Sequence, residues 1–353
     1  MRARNGVWNL DIADVDVGGD VHRIVLSGIK PQPGMSALAI RNRLAESYPE
    51  LSNLLISYPY GHADMCADLV FKSAHPEADY GYVIMESMGY PYYSGSNTVA
   101  TVAALLEYGF IPMQEGETEI RLEPPSGLIS ARYTIQDGRI DHVVVNGGAA
   151  YVISRECRAD VPGFGPVDYA LVWSGAYFLM VDAGSLNIPL TSGGVPAMRK
   201  AGRAICDAVA RDFSYEHQQF GRIEAPKFVH FMGAFERTGD KRYEGRGATY
   251  GYPDTVFYCP TGTGTSARMA LMHAAGQFEE DAVFENVSAM DNRFTGQALG
   301  AERAGRYEAL ATDIKARPFV LSTTRLHVDF SNPLMQAFMP LREIATEGDL
   351  PLP

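Results

Sequence analysis

YYSGSNTVATVAALLEYG (residues 92–109) and CPTGTGTSARMALMHAAG (residues 259–276) are built to one design. Each has a strand-like lead-in, then a small hydroxyl residue, a glycine and a short polar run. Each then enters an almost wholly apolar helix that stops at a glycine. Ser94 and Thr261 occupy the same place in the two copies. A helix that is apolar all round has to be buried, so each is expected to be the central helix of its own half, wrapped by strands. Gly109 and Gly276 suit the left-handed C-terminal stop. The Gly/Ser/Thr loop leaves free N–H groups at the helix start, where the dipole favours an anion by about 0.3–1 kcal/mol.

Two such starts facing one another would cradle a carboxylate, with Ser94 and Thr261 on opposite sides of the adjacent carbon. That arrangement suits removal of an α-proton from one face and return of a proton to the other. Stabilising the enolate-like charge would be the main catalytic task. Ser, Thr and Gly are also the preferred N-cap residues, so helix capping alone is the alternative reading of either segment.

Working outward, LDIADVDVGGDVHRIVLSG reads as two strands around Gly18-Gly19, SALAIRNRLAESY as a helix within residues 35–48, and ADLVFKS and YGYVIMES as strands. IRLEPPSGLISARYTIQDGRIDHVVVNGG reads as a meander turning at residues 124–127 and at Asp137-Gly138. Asn146-Gly147-Gly148 would end this half. The pattern then restarts, with ALVWSGAYFLMVDAG as strand and VPAMRKAGRAICDAVARDF as an amphipathic helix. FVHFMGAF and DTVFYC read as strands before the second apolar helix. The expected fold is α/β (α+β), two pseudo-symmetric halves, each a mostly antiparallel sheet around a central helix. The first half is expected over residues 1–148, completed by 325–353, and the second over 149–324.

Size and charge narrow the function. A chain of 353 residues fits two domains, and 46% hydrophobic with 20% charged residues can bury a core. No apolar run reaches the roughly 18 residues of a membrane span, and MRARNGVWNLDIADVD has no apolar stretch after its arginines, so neither a membrane nor a secretory route is expected. The net charge of −12 argues against nucleic acid. It leaves open a small carboxylate held by local backbone donors. Cys66, Cys157, Cys206 and Cys259 are far apart with no C-x-x-C pair, so neither a zinc site nor a disulfide framework is expected and a reducing cytoplasm fits. A homodimer is one assembly open to such a chain.

These residues resemble the proline racemase superfamily, which includes proline racemases, 4-hydroxyproline epimerases and trans-3-hydroxyproline dehydratases. GTGTSARMA (262–270) is similar to the family's second active-site loop, and Met88-Gly89-Tyr90-Pro91 through Ser94-Gly95 to its first. Pro59 with Gly61-His62-Ala63-Asp64-Met65 resembles its Pro-x-Gly-His-x-Asp-Met segment. Asp14, Gly19 and Arg23 match its N-terminal motif, and EPPSGLISAR its Thr-Pro-Ala-Gly strand. The likeness runs from about residue 14 to residue 300. It implies a diaminopimelate epimerase-like fold with the site between the halves, and chemistry without metal, pyridoxal phosphate or nicotinamide. By the resemblance Ser94 and Thr261 are the catalytic pair. Gly95, Ser96, Asn97, Gly262, Thr263 and Gly264 hold the carboxylate, and His62 is a site wall or orienting group.

The departures bear on the reaction. The family's racemases use two thiols where this chain has Ser94 and Thr261. A thiol titrates near ~8.5, whereas an aliphatic hydroxyl needs an adjacent base or a strong local field. Threonine at the second position resembles the dehydratases and tips the reading toward dehydration of a 3-hydroxyproline over epimerisation. The residues that receive the ring ammonium are replaced by Ser96 and Phe257, leaving Asp254 or Asp64 for that role. Otherwise the substrate lacks the amine, or the chain is a binding protein for a small anion. Of the remaining candidates, Cys259 reads as a buried strand residue and His230 as a satisfied core residue. Arg268 reads as half of a buried ion pair. His62, Asp64 and Cys66 would share a face if they lay on a strand, but no fourth metal ligand is evident.

Overall fold

Residues 6–347 are described by a computed structural model. Residues 1–5 and 348–353, placed in the first half by the sequence pattern, lie outside them. The chain divides into two units, Met1–Val145 with Arg317–Pro353, and Asn146–Ala316.

In the first unit, Val7–Val17 pairs antiparallel with Asp20–Ser27, which runs parallel to Cys66–Phe71. Cys66–Phe71 is antiparallel to Tyr80–Met85, which runs parallel to Gly116–Glu123, itself antiparallel to Ile129–Gln136. The second unit repeats this order. Gly165–Trp173 is antiparallel to Tyr177–Asp182, which is parallel to Phe228–Gly239. Phe228–Gly239 is antiparallel to Arg242–Gly251, parallel in turn to Val283–Val287, which is antiparallel to Arg293–Ala304. In both units, a parallel crossover that cannot be made by a tight turn carries the central helix between the fourth and fifth strands.

Those helices are Gly95–Glu107 and Gly262–Ala274. Every residue from Gly95 to Leu106 is buried, and the helix packs on Val7–Val17, Asp20–Ser27, Cys66–Phe71 and Pro318–Asp329. Gly262–Ala274 packs in the same way on strands of the second unit. Both end in the expected manner. Gly109 and Gly276 each have φ +71°. Gly109 N–H donates to Leu106 and Phe110 N–H to Leu105; Gly276 N–H donates to His273 and Gln277 N–H to Met272. This is the Schellman pattern at both stops.

The outer faces carry other helices. Ala37–Ser47, capped by the Ser36 side chain, and Glu50–Ile56 cover the first sheet, and Val195–Ala210 covers the second. With helices on both faces, Cys66–Phe71 and Tyr80–Met85 are buried almost throughout and read as apolar runs interrupted by the buried Asp68.

Several expectations are corrected. The segments leading into the central helices are loops rather than strands. DTVFYC forms only the two-residue strand Thr255–Val256. Asn146-Gly147-Gly148 lies inside the continuous strand Arg139–Val161, and the division between the units falls at the start of that tripeptide, between Val145 and Asn146. Gly147 is needed there because a Cβ would stand 2.4 Å from Thr312 Oγ1. His62 and Asp64 precede the strand that starts at Cys66, so the three do not share a strand face.

Candidate active site

Ser94 and Thr261 stand at the N-cap positions of the two central helices, yet neither side chain caps its helix. The first N–H groups of each helix, those of Gly95, Ser96 and Asn97 and of Gly262, Thr263 and Gly264, are the ones an α-helix leaves without an internal acceptor. The two hydroxyls are turned to other partners. Four residues on, Thr98 Oγ1 donates to the Ser94 carbonyl at 2.8 Å and Thr265 Oγ1 to the Thr261 carbonyl at 2.7 Å. These matched bonds fix the backbone beneath each hydroxyl. Tyr82 and Asn286 brace the two threonines in turn, at 2.6 Å and 2.9 Å.

In the first unit, Asn97 Nδ2 donates to Ser94 Oγ at 2.8 Å and to Glu86 Oε1 at 3.0 Å. Its Oδ1 is 3.0 Å from His22 Nδ1, and Oδ1 can only accept, so His22 carries its proton on Nδ1. His22 is fully buried, and burial pushes its imidazole down to about 4; it is neutral at pH 7. Burial pushes the Glu86 carboxyl the other way, up to about 7, against the hydrogen bonds from Asn97 and, at 3.7 Å, Cys66. Ser96 Oγ lies 3.4 Å from Ser94 Oγ.

In the second unit, Thr261 is buried and held at φ +60°, ψ 129°, a region that costs a β-branched residue about 1–3 kcal/mol. Its side chain is fixed by two groups. Oγ1 donates to the Pro260 carbonyl at 2.7 Å and lies 2.8 Å from Thr249 Oγ1. Thr249 Oγ1 is in turn 2.8 Å from His230 Nδ1. The Thr261 N–H donates to Cys259 Sγ at 3.1 Å, so this thiol supports the loop. Gly264 makes the arrangement possible. A Cβ there would stand 2.2 Å from Thr261 Oγ1, 3.0 Å from Thr249 Oγ1 and 3.1 Å from His230 Nδ1.

His230 is therefore more than a satisfied core residue. It is fully buried, driven down to about 3 by burial and by the neighbouring Arg268, and its Nε2 has no hydrogen-bond partner among the described residues. Arg268 departs from expectation too. Its guanidinium donates to the carbonyls of Arg246 and Gly233 at 2.8 Å and 2.7 Å and lies over the Phe284 ring. Carbonyls and a ring face, rather than an acid, take its charge.

His62 is exposed and Asp64 half-buried, in the loop before Cys66–Phe71. Asp254 is exposed on a turn, 4.0 Å from Arg199. Phe257 lies against Phe228, which stacks on Phe178. Asp14 and Arg23 form an ion pair at 2.9 Å, and Arg23 also ties down the carbonyls of Leu55 and Tyr60, which is scaffold work. His22, Glu86 and Thr249 escaped the sequence reading. His22 and Thr249 lie on strands and Glu86 just past the end of one, and no local pattern joins them to Ser94 or Thr261.

A family model described as proline racemase matches residues 12–339. The chain is 36% identical to a protein of Marinobacter nauticus over 92% of this chain and 93% of that one. It is 28% identical to the 4-hydroxyproline 2-epimerase of Rhizobium etli, over 92% and 93%. A solved hydroxyproline epimerase from Agrobacterium vitis, with bound trans-4-OH-L-proline, matches with a TM-score of 0.87 at 25% identity over 95% of each chain.

Proposed function

We propose that this chain, which belongs to the proline racemase family, epimerises or racemises the α-carbon of a proline-like or hydroxyproline-like carboxylate. One observation carries the reading. The two residues at the helix starts spend their hydroxyls on buried networks instead of capping, which leaves the capping N–H groups to an anion. In the proposed reaction the N–H groups of Gly95, Ser96 and Asn97 and of Gly262, Thr263 and Gly264 hold the carboxylate. Ser94 and Thr261 handle the proton on opposite faces of Cα. The matched construction of the two helix starts favours such two-face chemistry over the one-base dehydration that Thr261 alone suggested. Dehydration of trans-3-hydroxyproline stays as the second reading. It is favoured by the Thr261 hydroxyl proton, which is already engaged by Pro260.

The nitrogen side of the substrate is open to a further choice. Phe257 belongs to an apolar row with Phe228 and Phe178, which suits a substrate without a ring ammonium; Asp64 and Asp254 are the proposed acids if the ammonium is present.

Incubation in D₂O with each isomer of proline, 3-hydroxyproline and 4-hydroxyproline tests the proposal. Deuterium at Cα with conversion to the epimer supports it. A pyrroline product supports dehydration. Thermal stabilisation by a carboxylate with no exchange from any isomer, at high protein concentration, would leave only a binding protein.

A further inference from the structure

Behind each hydroxyl the structure repeats one construction from unrelated residues. His22 reaches Ser94 through Asn97, and His230 reaches Thr261 through Thr249. In both cases the imidazole is fully buried, uses Nδ1, and has an Nε2 without a hydrogen-bond partner among the described residues.

The direction of the hydrogen bonds can be worked out. In the first unit the Asn97 amide fixes it: His22 Nδ1–H donates to Oδ1, and Nδ2–H donates to Ser94 Oγ. In the second unit the Pro260 carbonyl takes the Thr261 proton. Thr249 must then donate to Thr261, and His230 Nδ1–H to Thr249. A second feature gives the same answer. A Cβ at Gly247 would meet His230 Nε2 at 2.7 Å and Arg268 Nη1 at 3.3 Å, so the guanidinium lies on the Nε2 side of the ring. A bare lone pair is favoured beside a cation, which leaves the proton on Nδ1.

We infer that His22 with Asn97, and His230 with Thr249, are matched positioning residues that aim a donated hydrogen bond at the oxygens of Ser94 and Thr261. The inference rests on the proposed α-proton chemistry. A donor fixed behind an oxygen favours its more negative form. It therefore does for an aliphatic hydroxyl part of what the lower intrinsic pKa does for a thiol. The neutral state of both rings suits the task, since a buried imidazolium would add an uncompensated charge. No bond to carbon is made by these four residues, and no proton leaves them.

Two measurements decide the matter. The first is independent of turnover: ¹⁵N NMR of the histidine rings in the wild-type protein, assigned with His22→Gln and His230→Gln. Nδ1–H tautomers for both rings are expected, and an Nε2–H tautomer at His230 overturns the inference whatever the activity. The second compares Thr249→Val and Thr249→Ser, alone and combined with Thr261→Cys, by Cα deuterium exchange. Thr249→Val is expected to slow exchange on the order of 100-fold, and Thr249→Ser to restore it. With Thr261→Cys in place, Thr249→Val should change the rate about twofold or less, because a thiolate does not depend on that donor. An equal loss in both backgrounds would make Thr249 a structural residue and sink the inference. If the wild-type protein exchanges no isomer, the α-proton reading falls, and the ring tautomers still decide the bond directions.

Discussion

At the scale of single residues, the second helix start is crowded around one missing methyl. Gly264 sits in the first turn of the helix, where alanine would otherwise be the better helix former. A Cβ would come 2.2 Å from the Thr261 hydroxyl, so the glycine serves the hydroxyl cluster. Gly264→Ala is expected to lose Cα exchange and to cost about 1–3 kcal/mol through overpacking, read by D₂O exchange and by denaturant unfolding. Glu86 makes a prediction of the opposite kind. Its carboxyl is raised from an ordinary 4.5 to about 7 by burial. The folded state therefore binds the proton more tightly than the unfolded chain. That contribution is fully present below pH 4.5 and is lost as pH rises through about 7, amounting to about 3 kcal/mol. Glu86→Gln keeps the acceptor for Asn97 and removes the titration. Compared with wild type, it should be similar in stability near pH 4 and relatively more stable above pH 7, as unfolding curves across pH would show.

At the scale of elements, periodicity made the helices legible. The two apolar helices, their glycine stops and the amphipathic Val195–Ala210 are where the pattern puts them. Strand length was harder to read. DTVFYC has strand composition, but the chain leaves the ladder after Val256, with Phe257 N–H still donating to the Thr249 carbonyl. The helix Val195–Ala210 shows how an element is fitted to its sheet. Gly202 faces Tyr250, and a Cβ there would stand 2.3 Å from the ring. Gly202→Ala should therefore destabilise by about 1–3 kcal/mol, although alanine gains up to about 1 kcal/mol in helix propensity. A rise in Tm would show that the helix can slide on its sheet.

At the scale of the whole molecule, the first unit is discontinuous. Pro318–Asp329 pairs with the length of Val7–Val17, from Val7 opposite Asp329 to Val17 opposite Pro318. The chain beyond it places Met335, Phe338, Leu341 and Ile344 in the first unit's core. Ending the chain at Ala316 would strip an edge from Val7–Val17 and uncover that core, and exposed edges pair with other chains. The truncated protein is expected to aggregate, measured as loss of soluble monomer by size-exclusion chromatography. A monodisperse, folded product would refute this dependence.

Composition, the repeated helix segments and the ordered motifs were enough to establish family, fold class and the two helix starts, because each is a property of contiguous residues. Burial follows from an apolar run, and a helix start from its Gly/Ser/Thr loop. What other elements set behind Ser94 and Thr261 was a matter for the tertiary structure alone. His22, Glu86, Thr249 and His230 lie on or beside strands, and the side-chain period of a strand says which face a residue takes but not what a neighbouring strand sets against it. The directions of the hydrogen bonds, and the depressed and raised protonation of the buried groups, exist only once the sheets have closed over the helices and removed the water.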